Sequence, residues 1–122
     1  MISQSFVRNK LVELNGEMLK SPYKKRWTKD NPTLGYCYIV SEALYHYMDN
    51  VKAFCISMGE LGTHWYVTID NSIVDFTGEQ FNDEVDYSKG IGKGFFKGSV
   101  KTDKGYISKR GYEMAKHLGL IK

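Results

Sequence analysis

The stretch His64-Trp65-Tyr66-Val67-Thr68-Ile69-Asp70-Asn71-Ser72-Ile73-Val74-Asp75-Phe76-Thr77 decides the fold. β-Branched and aromatic residues fill both of its halves. Asp70-Asn71 between them tolerates positive φ, so the segment predicts strands over His64–Asp70 and Ser72–Thr77 joined by a tight hairpin. With Asp70-Asn71 as a two-residue turn, Ile69 faces Ser72, Tyr66 faces Asp75 and His64 faces Thr77. Asp75 then lies two positions from His64 on one sheet face, within diagonal reach. A slip of one residue would send the two to opposite faces.

Working outward, Lys52–Met58 reads as a third strand, connected to the hairpin through Gly59–Thr63. Before it, a helix is expected to begin just after Gly35 and run to about Asp49. Val40, Ala43, Leu44, Tyr47 and Met48 form its apolar stripe, and Asn50 stops it. Residues 3–20 read as an amphipathic helix through Val7, Leu11, Leu14 and Met18, ended by Ser21-Pro22. Residues 21–34, with Trp27 and Asn31-Pro32, read as an irregular connection. Downstream, Gly90–Gly98 fits neither a phosphate-binding nor a dinucleotide-binding glycine motif and reads as a loop or irregular strand. Ser108 caps a short helix running to about Leu118 and closed by Gly119. The expected class is α+β, with helices segregated against a small antiparallel sheet.

With 122 residues, the chain is expected to form a single domain over 1–122, a domain typically taking roughly 100–200. Hydrophobic residues make up 42% and charged residues 25%, which excludes disordered and fibrous classes. No apolar run approaches a transmembrane length, and the start MISQSFVRNK lacks the pattern of a secretory signal, so a cytoplasmic location is expected and a membrane partner is not. The net charge of +3 is unevenly spread. Residues 1–30 carry seven bases against three acids, residues 31–88 one base against nine acids, and residues 89–122 nine bases against two acids. The basic ends are expected to complement the acidic middle. No Lys/Arg cluster alternates with aromatics in a nucleic-acid signature, the densest basic run being Tyr23-Lys24-Lys25-Arg26-Trp27, so a nucleic-acid partner is not expected either.

There are two cysteines and three histidines, with no CxxC and no zinc-ligand spacing, so no metal site is expected. Cys37 falls in the first turn of a helix behind a glycine, where the helix dipole and free N–H groups stabilise a thiolate. Cys55, in mid-strand, reads as a buried small hydrophobe. His64 opens its strand after a glycine-bearing loop, and Asp75 is the carboxylate that would orient its ring. Cysteine at a helix start, histidine on a strand and aspartate on the next strand form a geometrically coherent nucleophile, base and orienter. Packing at Cys37 and edge-capping at His64 are the structural alternatives. His46, on the polar side of its helix, and His117, near a helix C-terminus, read as structural.

Taken in order, Trp27, Asn31-Pro32, Gly35, Cys37, His64-Trp65, Asp75, Thr77 and Gln80-Phe81 resemble the YunG-like family of small bacterial and phage proteins. That pattern is W…NP…GQC, then HW, then D-x-T-x-x-QF, and a closing basic-aromatic helix that Ser108–Leu118 resembles. The resemblance spans roughly residues 25–118. The order Cys, His, Asp is also similar to the papain-like superfamily, especially its transglutaminase-like and NlpC/P60 branches. It implies a papain-like core and a thiol hydrolase or acyl transferase acting on an amide or (thio)ester of a protein or peptide-like substrate. Cys37 would be nucleophile, His64 base and Asp75 orienter, with no cofactor. A scaffold without turnover, binding or inhibiting a protein, is the alternative.

One position departs from the family pattern: Tyr36 stands where the family has glutamine before the cysteine. Loss of one oxyanion donor typically costs about 2.7–4 kcal/mol in the barrier. Asn31 would replace the donor, with the Cys37 N–H as the other, although Asn-Pro is also an ordinary turn opener. Trp27 and Trp65 either shape the cleft or belong to the core.

Overall fold

The computed structural model describes residues 2–81 and 84–121. It is an α+β protein, with an antiparallel sheet, helices set against it and a short C-terminal helix. The central hairpin is in the expected register. Strand β2 (Thr63–Ile69) pairs with β3 (Ser72–Val74) through Ile69↔Ser72, Thr68↔Ile73 and Val67↔Val74. Asp70 and Asn71 take φ of 53° and 68°, the left-handed pair that this tight turn requires. β3 stops at Val74, three residues short of the expected Thr77, because the chain turns at Asp75 and the Asp75 carboxylate accepts from Thr77 instead of continuing the ladder.

Strand β1 (Val51–Ser57) pairs with all of β2, from Val51↔Ile69 to Ser57↔Thr63. Within Gly90–Gly98, read as a loop or irregular strand, a short strand β4 (Ile91–Gly92) adds to the far side of β1 and gives the order β3-β2-β1-β4. A pair the sequence did not announce, β5 (Val100–Thr102) with β6 (Gly105–Ile107), forms a separate hairpin.

Helix α1 (Gln4–Leu14) starts at Ser3, whose side chain accepts from the Phe6 N–H at 3.1 Å. It ends six residues earlier than the apolar spacing implied. Asn15 and Gly16 turn left-handed, at φ 51° and 80°, and the Asn15 N–H closes on Val12. Met18 and Leu19 therefore reach the core from a turn rather than from a helix. The connection expected to be irregular contains one helical turn, α2 (Tyr23–Arg26). Helix α3 (Cys37–Tyr47) has Cys37 as its first residue.

The core gathers Val7 and Leu11 of α1, Ile39, Val40, Ala43 and Leu44 of α3, Val51 and Val67 of the sheet, and Met114, Ala115 and Leu118 around α4 (Lys109–His117). His46 is buried rather than on a polar face, because the β5–β6 hairpin covers that side of α3 and Thr102 Oγ1 sits 2.7 Å from its Nδ1. His117 closes on the Lys10 carbonyl at 2.6 Å. Cys55 is half-buried rather than buried, between Trp65 of β2 and Ile91 of the short β4.

Glu42 of α3 is fully buried and receives both groups of Ser108, the N–H at 3.0 Å and the hydroxyl at 2.6 Å. The same hydroxyl caps α4 by accepting from the Gly111 N–H at 3.0 Å. A Cβ at Gly111 would overlap Glu42 Oε1. Ser108→Ala removes the cap and leaves a buried carboxylate short of a donor, so it should destabilise the protein by about 2 kcal/mol in urea unfolding. A loss within a few tenths of a kcal/mol would show that the α3–α4 contact does not depend on this bond.

Candidate active site

The hairpin register brings His64 and Asp75 together as the diagonal geometry requires. His64 is the second residue of β2 and is wholly buried, while the Asp75 side chain is 4% exposed. His64 Nε2 lies 2.6 Å from Asp75 Oδ2. The same carboxylate is held from three other directions. The Tyr87 hydroxyl donates to Oδ2 at 2.6 Å, and the Thr77 N–H and hydroxyl donate to Oδ1 at 3.3 and 3.4 Å. Gly78 lets the chain turn tightly beneath it, since a Cβ there would stand 2.7 Å from Asp75 Oδ2. The Phe81 ring closes edge-on against the imidazole, with centroids 4.8 Å apart.

With Nε2 engaged by Asp75, the other ring nitrogen, Nδ1, is buried and has no hydrogen-bond partner among the described residues. Cys37 is the thiol beside this ring. Burial alone would lower the His64 pKa, but the hydrogen bond the ring donates to Asp75, then the neighbouring Cys37 sulfur and the charges of both, hold it up to about 9. The imidazole is therefore protonated at neutral pH.

Cys37 is half-buried at the first position of α3, with Sγ 3.9 Å from the Thr63 carbonyl, one residue before His64. No side chain caps the helix here, so its N-terminal N–H groups are left to act on whatever sits beside the thiol. Gly35 lets the chain arrive. It takes φ +82°, and a Cβ there would stand 2.8 Å from the Tyr23 Cβ.

The remaining expected site residues are placed as follows. Asn31 uses one side-chain N–H on the Gln80 carbonyl at 3.2 Å. Trp27 donates to the Pro32 carbonyl at 2.8 Å and packs its ring over Gly16, which makes it a brace of the connection. Trp65 is buried between Tyr38, edge-on at 5.1 Å, and Phe95, stacked at 5.1 Å. Tyr36 is buried, and its hydroxyl donates to the Glu17 carbonyl. Burial and then Glu17 raise its pKa.

Two contributors were not identified from the sequence. Gln80 accepts from the Gly35 N–H at 3.3 Å and donates to the Thr77 carbonyl at 2.9 Å, so one side chain joins the approach to Cys37 to the turn after Asp75. Its appearance beside Phe81 in the family pattern was the available signal. Tyr87 carried no signal, being one tyrosine among nine. Among the described residues, no group of three or more His, Cys, Asp or Glu side chains is arranged to hold a metal ion, and no helix is long and apolar enough to cross a membrane.

A family model described as YunG protein matches residues 8–106. The matched span includes Cys37, His64 and Asp75, begins earlier than the motifs alone suggested, and ends before α4. No curated protein and no solved structure matches the chain.

The raised His64 pKa has a thermodynamic consequence. The folded value, about 9, lies above the ordinary 6.5, so the protonated ring contributes stability that is fully present below about pH 6.5 and is lost as pH rises through about 9. The urea midpoint should fall across that window. Asp75→Asn should flatten the fall, and an unchanged slope in that variant would refute the assignment of the raised pKa to Asp75.

Proposed function

The chain belongs to the YunG family, and we propose that it is a papain-like thiol hydrolase or acyl transferase that opens an amide or (thio)ester through Cys37, His64 and Asp75. The observation that carries this reading is the unequal use of the two His64 nitrogens. Nε2 is held by a carboxylate at 2.6 Å, while buried Nδ1 is left without a partner beside a thiol. An unpaired buried polar group costs about 1–3 kcal/mol, which a histidine kept for packing has no reason to carry.

In the proposed reaction, the Cys37 thiolate attacks the carbonyl carbon. A sulfur–carbon bond forms, and the carbonyl π pair moves onto oxygen. The Cys37 N–H, at the uncapped start of α3, faces the developing oxyanion. Collapse breaks the bond to the leaving amine, alcohol or thiol, which takes its proton from His64 Nδ1. Water or a second amine then attacks the acyl-enzyme and gives its proton to Nδ1, and the thiolate leaves. Asp75 holds the ring in the orientation that presents Nδ1, and Tyr87 and Thr77 hold Asp75. These steps use no metal or organic cofactor. Free thiols at Cys37 and Cys55 suit a reducing compartment such as the cytoplasm.

One observation favours a second reading, an inactive papain-like scaffold that binds a protein partner. The Tyr36 hydroxyl is spent on the Glu17 carbonyl and so is not aimed as a second oxyanion donor, and Asn31 has committed one side-chain N–H to the Gln80 carbonyl.

Alkylation by iodoacetamide at neutral pH, read by peptide mass spectrometry, separates the two. The enzyme reading expects Cys37 to react faster than Cys55, and His64→Ala to slow Cys37 by about tenfold or more. Equal rates at Cys37 with and without the imidazole would sink the thiolate–imidazolium pair and favour the binding scaffold.

A further inference from the structure

The rim of the site is built by α2. The Tyr23 side chain lies across the two loops that deliver the proposed nucleophile and base. Its Cβ end meets Gly35, two residues before Cys37, where an added Cβ would stand 2.8 Å away. Its hydroxyl end meets Gly62, two residues before His64, where an added Cβ would stand 3.5 Å away. From this pivot the chain displays Lys24, Lys25 and Arg26, with Lys20 and Lys29 on either side, and all five are exposed. No ion pair among the described residues uses any of the five. Asp30 is the lone acid between Glu17 and Glu42. A concentration of cations beside a cleft draws an anionic partner toward it.

The surroundings narrow the partner's class. Single-stranded nucleic acid needs open aromatic faces for its bases. The two aromatic residues of this region are engaged elsewhere, Trp27 over Gly16 and Tyr23 against Gly35. A membrane surface needs apolar side chains to insert beside the cations. Among the described residues, the exposed large hydrophobic ones are Ile73, Ile91, Phe96 and Tyr106, none of them on α2 or its flanks. A polypeptide carrying carboxylate side chains needs neither, and it also carries the amide on which the proposed chemistry acts.

We propose that α2 and its flanking lysines form the docking rim for an acidic segment of a polypeptide substrate, which places an amide of that segment at Cys37. This inference rests on the thiol-enzyme reading for what happens after docking, but the docking is measurable alone.

The probe is a fluorescein-labelled oligoglutamate peptide, followed by fluorescence anisotropy on the full chain, with an oligolysine peptide and a single-stranded oligodeoxynucleotide as comparisons. Oligoglutamate should bind, weaken as salt is raised, and weaken by roughly tenfold in Lys24→Glu/Lys25→Glu/Arg26→Glu, the combined effect expected of several exposed charge pairs. Lys24→Gln/Lys25→Gln should fall between the reversal and the natural chain. The peptide should also slow iodoacetamide at Cys37 without slowing it at Cys55. Binding that ignores the charge reversals, or no binding of oligoglutamate, overturns the proposal. Tighter binding of the oligonucleotide overturns it in favour of a nucleic-acid surface, and binding that leaves Cys37 equally open to alkylation overturns the placement beside the site. An inert Cys37 in the absence of peptide strikes the enzyme reading alone, because the anisotropy result stands without it.

Discussion

The bond between His64 and Asp75 organises this molecule. A buried imidazole tends to shed its proton, and a buried carboxylate is costly without partners. Placed 2.6 Å apart, with Tyr87 and Thr77 completing the shell of Asp75, the two become compatible with the interior. Much of the local chain follows from meeting that requirement. The register of β2 and β3 puts the two residues on one face, and the chain leaves the ladder after Val74 so that the carboxylate can collect its donors. Gly78 keeps the space beneath it open, and Phe81 closes the side of the ring.

Gln80 extends that arrangement to the thiol. Its side chain accepts from Gly35 and donates to Thr77, which links the segment leading into α3 to the turn that follows Asp75. The three proposed reacting residues thus come from a helix start, a strand and a turn, tied through one amide side chain. The thiol itself sits where an uncapped helix end is most polarising.

How much of this was legible depended on how local the determining signal is. The hairpin could be read because Asp70-Asn71 dictates the turn and the two-residue period of a strand then sets every facing pair. α3 and α4 could be read because Gly35, Asn50, Ser108 and Gly119 punctuate regular apolar spacing. α1 was over-extended because Met18 keeps the helical spacing while Asn15-Gly16, a left-handed pair, breaks the helix before it. The β5–β6 hairpin escaped, and β4 could be read no more closely than as a loop or irregular strand, because strands of two and three residues carry too little periodicity to register. His46 was misplaced for the same reason, since the hairpin that buries it was not anticipated. At the site, Cys37, His64 and Asp75 announce themselves by residue type and register. Tyr87 does not, because it reaches Asp75 from a single 3-10 turn (Tyr87–Lys89) whose path no local pattern encodes.

The sheet holds the two members of its central pair with unequal firmness. His64 belongs to a seven-residue strand, whereas Asp75 hangs just beyond a three-residue strand at the sheet's edge. Edges fray before centres, at a free-energy cost well below that of global unfolding. When this edge lifts, His64 loses the neighbour that holds its proton and keeps the burial that expels it. The protonation of His64 is thereby coupled to how firmly this short edge strand stays paired.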